Sequence, residues 1–137
     1  MLTLPSHKQL VSSLKVTSKI NNVVTITNYK RTSLAKIARN SFYGQLLFTK
    51  DTLKNLTTSK FEDAYVVVNT LPFKSYLKGI VETNDTEHAE KIKVMNIISK
   101  TYALFYLSEK NRHPSIPEGS TYQAIDSPDM FQKYVGA

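Results

Sequence analysis

The chain has 137 residues, 41% of them hydrophobic, with eight Tyr, six Phe and a net charge of +7. This length and composition predict one folded domain with a real core, and they exclude a disordered or low-complexity chain. With no Cys present, disulfides and thiolate metal sites are excluded too.

The start, MLTLPSHKQLVSSLK, lacks the long apolar core and small-residue cleavage pattern of a signal peptide. No apolar run is long enough to predict a membrane span. The charge is unevenly spread. Residues 1–60 carry ten Lys/Arg against the single acid Asp51, whereas residues 61–137 carry eight against ten acids. A basic first half predicts a surface for a polyanion such as nucleic acid, anionic lipid or a wall polymer; a merely soluble basic face is the plain alternative.

Residues 22–30, NVVTITNYK, are rich in β-branched types and place Val24 and Ile26 on one face, which predicts a strand. Leu34, Ile37 and Ala38 predict a short helix over 32–40. A second strand is expected over 42–50, with Gly44 as a bulge or a point of close approach. The polar segment 51–60 reads as a short helix or a turn. Residues 61–70, with Tyr65, Val66, Val67 and Val68 in succession, form the clearest strand, of the kind buried on both faces.

Pro72 suits the first turn of a helix, where its missing N–H costs nothing. Phe73, Tyr76, Leu77 and Ile80 then make an amphipathic stripe, and Gly79 favours termination near Val81. A polar connection leads to a second helix over about 87–107, capped by Thr86 or Asp85 and started by Glu87 and Glu90. Its apolar residues fall on nearly every face, so it is expected to run through the core. Residues 109–120 hold Pro114, Pro117 and Gly119 and read as a surface loop. In the tail, 121–137, Tyr122, Phe131 and Tyr134 predict docking rather than fraying. The expected fold is α+β: a small sheet of N-terminal strands packed with two main helices, at about 72–81 and 87–107, in a single domain of residues 1–137.

Glycines are scattered singly, so no phosphate loop exists and no nucleotide is expected. His7, His88 and His113 show no ligand spacing, and no metal or other cofactor is expected. Basic and aromatic residues interleave over 29–44, YKRTSLAKIARNSFYG, but match no nucleic-acid module, which makes nucleic acid a lesser reading.

Three ordered blocks carry more. LPFKSYLKGIV, starting at Leu71, resembles Leu-Pro-Leu-Glu-x-Tyr-Leu-x-Gly-Val-Val. KVMNIISKTYALFYL, starting at Lys93, resembles the Lys-Ala-Gln-Ala-Val-Ala-Ala-Arg-Thr-Tyr-Ala helix, and YQAIDSPDMFQKYVG, starting at Tyr122, resembles Tyr-Asp-Val-x-Asp-Thr-Thr-x-x-Gln-x-Tyr-x-Gly. All three are signatures of the SpoIID/LytB (stage II sporulation protein D) family, and the resemblance covers residues 42–137. Here Thr83-Asn84 stands where the family has Met-Pro, and Lys100 where it has Arg. The Cys and His of the family's tail are absent.

The resemblance implies a peptidoglycan-active domain of the cell envelope, outside the cytoplasm. Such a domain is a lytic transglycosylase or a module that stimulates a cell-wall amidase. It implies Glu82, directly after Gly-Ile-Val, as the catalytic acid and base. Lys100 and Gln132 would contact sugar or developing charge, Tyr76 and Tyr134 would wall a groove, and Asp126 would set the tail's turn. Tyr102 reads rather as core. Lytic cleavage needs only one carboxyl, which protonates the leaving oxygen and then takes the proton of the sugar's own C6 hydroxyl. Such an acid gains from burial, and the apolar run ahead of Glu82 predicts that it sits at the lip of the core.

Overall fold

The structure, a computed structural model, describes residues 12–19, 21–27, 40–55, 57–84, 86–108, 110–127 and 130–136. It is α+β, with antiparallel strands followed by two helices. β1 (Ser13–Thr17), β4 (Gln45–Lys54) and β5 (Phe61–Thr70) make a three-stranded sheet in the order β1-β4-β5. β2 (Val23–Thr25) and β3 (Ser41–Tyr43) make a separate pair. The helices are α1 (Phe73–Gly79) and α2 (Ala89–Tyr106).

β4 and β5 pair over their full length, from Gln45↔Thr70 to Lys54↔Phe61. The segment 51–54, expected as helix or turn, is therefore strand. Its local polarity is overridden by the ladder that the β-branched run of β5 offers it. Asn55 closes the hairpin by accepting from the N–H groups of Thr57 and Thr58 and donating to the Glu62 carboxylate. β1 is a strand that the polar sequence around it does not announce, paired from Ser13↔Thr49 to Thr17↔Gln45. In the 22–30 segment, strand spans only Val23–Thr25 among the described residues, with Val24 and Ile26 packed against the core. The helix expected over 32–40 lies outside the described residues, apart from Asn40.

Gly44 is the close-approach point. Its φ of 82° is left-handed, and a side chain there would strike the Thr70 carbonyl. That turn separates β3 from β4 and brings β5's exit beside β3.

α1 starts after Pro72 and ends at Gly79, two residues before the expected Val81. α2 is capped by His88, whose Nδ1 accepts from the Glu90 N–H at 3.4 Å, rather than by Thr86. The expectation that α2 runs through the core is overturned. Ser99 and Ala103 are buried and Ile92, Met95, Tyr102 and Tyr106 half-buried, one stripe of an amphipathic helix. The opposite face leaves Val94, Ile97, Ile98, Leu104 and Phe105 exposed. β5 is likewise not buried on both faces, since Phe61, Tyr65 and Val67 are exposed.

The core gathers Phe42, Leu46, Tyr76 and Ala103 with Phe131 and Tyr134 of the tail. The tail does dock, with Tyr122, Phe131 and Tyr134 all buried. Thr121 donates its N–H and hydroxyl to the Asp51 carboxylate, and the Tyr122 hydroxyl donates to the Thr52 carbonyl at 2.6 Å. Burial works against the Asp51 charge, but these bonds from Thr121 and the one from the Thr52 N–H prevail and lower its pKa. The preceding loop is not wholly superficial, because Ser115 and Ile116 are buried. No helix described is long and apolar enough to cross a membrane.

Candidate functional site

The three sequence blocks meet at one place. The tail runs antiparallel to the segment leaving α1, through an Ile80↔Tyr134 bridge. The Val135 N–H donates to the Gly79 carbonyl at 2.8 Å, and the Val81 N–H to the Lys133 carbonyl at 3.0 Å. Gly79 is required here for space: a Cβ would strike the Tyr134 ring and come within 2.6 Å of the Gly136 carbonyl. Sequence reading treats Gly79 as a helix terminator; its second role depends on a tail more than fifty residues away.

Under this crossing lies a polar tie. The Tyr76 hydroxyl donates to Gln132 Oε1 at 3.0 Å, and Gln132 Nε2 donates to the Ser99 carbonyl at 3.1 Å. One amide therefore joins α1, the tail and α2, and Gln132 is only 5% exposed. Tyr76 and Tyr134, both buried, stack with ring centroids 5.5 Å apart. These three residues form the floor of the site. Gln132, expected to contact sugar, has both ends of its amide engaged within the protein, and the two tyrosines lie beneath the surface rather than walling a groove.

Glu82 stands above this floor. The Lys133 N–H, between Gln132 and Tyr134 in sequence, donates to Glu82 Oε1 at 2.9 Å and fixes the carboxylate's position. Glu82 is exposed, not sunk at the lip of the core as expected. The chain reverses outward after Ile80 to pair with the tail, and that carries the side chain into water.

The carboxylate nevertheless acts on its neighbours. Burial first, then the Glu82 charge, then Tyr134 and Tyr102 raise the Tyr76 pKa far above 10. Burial, then Tyr106, then Glu82 raise that of Tyr102. Tyr134 is pushed up to about 12, by burial and then by Tyr43. The site thus offers one fixed carboxyl group over a bed of neutral phenols.

Asp126 accepts the Tyr134 N–H at 3.0 Å and bridges to Gln132, which holds the turn that presents the tail. Lys100 follows Ser99 on α2 and is exposed. It makes no hydrogen bond or ion pair among the described residues and is not drawn to Glu82.

Sequence reasoning misses the clamp behind the tail. His113 packs among Tyr102, Tyr106 and Phe131, and its Nδ1 lies 2.6 Å from the Ser115 hydroxyl. Burial and then Lys54 lower its pKa. A His flanked by Pro in a polar loop carries no sequence signal for such a cage. No group of three His, Asp or Glu among the described residues could hold a metal.

A cavity of about 370 Å³ lies elsewhere, where Thr17, Asn22, Gln45 and Thr70 surround the Leu71-Pro72 link. It contains no ionisable side chain and offers no acid–base chemistry. Comparison with protein-family models, with curated proteins and with solved structures gave no match, so the site's chemistry is argued from its own geometry.

Proposed function

We propose that the chain is a peptidoglycan-active domain of the cell envelope that cleaves glycan strands as a lytic transglycosylase, with Glu82 as its acid and base. The observation that carries this reading is the convergence at Glu82. The carboxylate is held by the Lys133 N–H directly above Tyr76, Gln132 and Tyr134, residues drawn from separate blocks of the sequence.

In this reading the Glu82 proton passes to the glycosidic oxygen as the C1–O bond breaks. The carboxylate then takes the proton of the C6 hydroxyl, and O6 closes on C1 to give a 1,6-anhydro end. No water and no second carboxylate are consumed, unlike ordinary glycosidases, which use a pair. Because Glu82 is exposed in the free chain, the glycan itself must displace its water as it binds. The Lys133 N–H aims one carboxylate oxygen, and the Tyr76–Gln132–Ser99 tie fixes the segment that carries that N–H. Asp126 positions the tail, and Lys100, on the rim of α2, is the cation available to a strand carboxylate.

The second reading is a wall-binding or amidase-activating module that uses the same surface without turnover, and the exposure of Glu82 favours it. Mass spectrometry of peptide-stripped glycan incubated with the protein separates the two. The native chain should release anhydro-muramyl products and Glu82→Gln none. Binding by the native chain without any product would replace the enzyme by the module. Steep salt-dependent binding to nucleic acid, indifferent to Glu82, would displace both.

A further inference from the structure

One face of the β4–β5 hairpin is core at its base and solvent-exposed toward its tip. Leu46 is 1% exposed, whereas Tyr65, four rungs along, is 77% and Phe61 47% exposed. On the same face, the register sets Lys50 opposite Tyr65 and Lys54 opposite Phe61, with Thr52 opposite Asp63 between them. Lys50 Nζ stands 5.3 Å from the centre of the Tyr65 ring, bracing it upright in water. The Lys54–Phe61 rung lies four residues further along, about 13 Å at roughly 3.3 Å per residue.

We propose that this face is a second binding site, a platform for the anionic glycan strand whose cleavage is assigned to Glu82; it rests on that reading of the protein. An exposed aromatic ring beside an ammonium suits a sugar bearing a carboxylate. The apolar C–H face of the pyranose lies on the ring, and the carboxylate meets the lysine. Peptide-stripped glycan carries one lactyl carboxylate on every second sugar. The face repeats the same alternation, cation, acid, cation, with Asp63 placed to accept hydroxyl or acetamide hydrogens from the uncharged sugar between.

That acid also decides against single-stranded nucleic acid, which would use the same rings and lysines. A phosphate on every unit would bring one against Asp63. Lys60, exposed beside Phe61, extends the cationic end toward the hairpin tip.

The test measures binding of peptide-stripped glycan strands to the full chain carrying Glu82→Gln, so that nothing is cleaved. Adding Tyr65→Ala and Phe61→Ala together should weaken binding at least tenfold, and Lys50→Ala should weaken it and flatten its salt dependence. Circular dichroism should be unchanged, since all three side chains are exposed. Asp63→Lys should raise affinity for single-stranded DNA while leaving glycan binding no stronger. Unchanged glycan affinity in the folded Tyr65/Phe61 double variant overturns the platform. So does tighter binding of single-stranded DNA than of glycan by the parent protein. Product release by the native chain is read separately: if it persists while the platform variants bind normally, only the platform falls. If no product forms but binding still depends on Tyr65 and Phe61, only the lyase assignment falls.

Discussion

The junction where the tail crosses α1 and the tip of the β4–β5 hairpin are built by opposite means. At the junction, Tyr76, Gln132 and Tyr134 are buried and the ties span from 33 to 56 residues of sequence. At the tip, Lys50, Tyr65 and Phe61 sit on paired strands of one hairpin, their side chains exposed. The first region ties Tyr76, Gln132 and Ser99 to one another, and Glu82 faces outward above them. The second leaves its side chains to solvent. Chemistry that needs a fixed atom belongs at the junction, and recognition that needs free rings and cations belongs at the tip.

The largest effect expected from breaking this contrast is at Gly79. Gly79→Ala would force the Tyr134 ring and the Gly136 carbonyl away from α1. We expect a loss of about 3 kcal/mol or more in denaturant unfolding, since backbone on one side cannot move aside cheaply. A variant as stable as the native chain would mean that the tail does not cross there.

Gln132→Leu comes next. It keeps volume but strips partners from the buried Tyr76 hydroxyl and Ser99 carbonyl, at a cost of about 2–3 kcal/mol. Product release should fall with it even at temperatures where the variant is folded, because the Lys133 N–H that aims Glu82 is its chain neighbour.

Tyr76→Phe sharpens the comparison through pH. At neutral pH it should cost about 1 kcal/mol, one buried hydrogen bond. In the native chain the Tyr76 pKa is raised, so the unfolded state releases its phenol proton first, from about pH 10. The stability supplied by the neutral phenol is complete below that pH and drains away as pH rises above it. The gap between native and variant should therefore narrow in melts taken between pH 10 and 12; a constant gap would contradict a buried Tyr76.

Tyr65→Ser is the smallest. With its ring in water, stability should change by no more than about 0.5 kcal/mol in the same unfolding experiment. A larger loss would place Tyr65 in a packed region and remove the distinction drawn here.

Local sequence was a good guide where structure is local. The valine run of 61–70 made a strand, the Phe73-Tyr76-Leu77 spacing made α1, and the α2 repeat made a helix at nearly its observed bounds. It failed where a neighbour decided the outcome. Polar 51–54 became strand because β5 lay beside it, and β1 formed because β4 offered an edge. Periodicity could not say which side of α2 would be covered, because both sides are apolar. Glu82, Gln132, Tyr134, Tyr76 and Asp126, which the resemblance singles out, lie around one crossing. Their division into an exposed carboxylate and a buried floor was not legible, because burial depends on what the tail covers.

The sequence by itself determined the residue types, the strand at 61–70, the two helices and the charge asymmetry, since these follow from side-chain chemistry and backbone preference over a few neighbours. Only the tertiary structure decided that the Lys133 N–H would hold Glu82, that Gln132 would be consumed as a tie, and that one face of a hairpin would pass from core to water. Each of these requires residues far apart in the chain to compete for the same partner or the same shelter from solvent, and that competition is resolved only when the chain closes on itself.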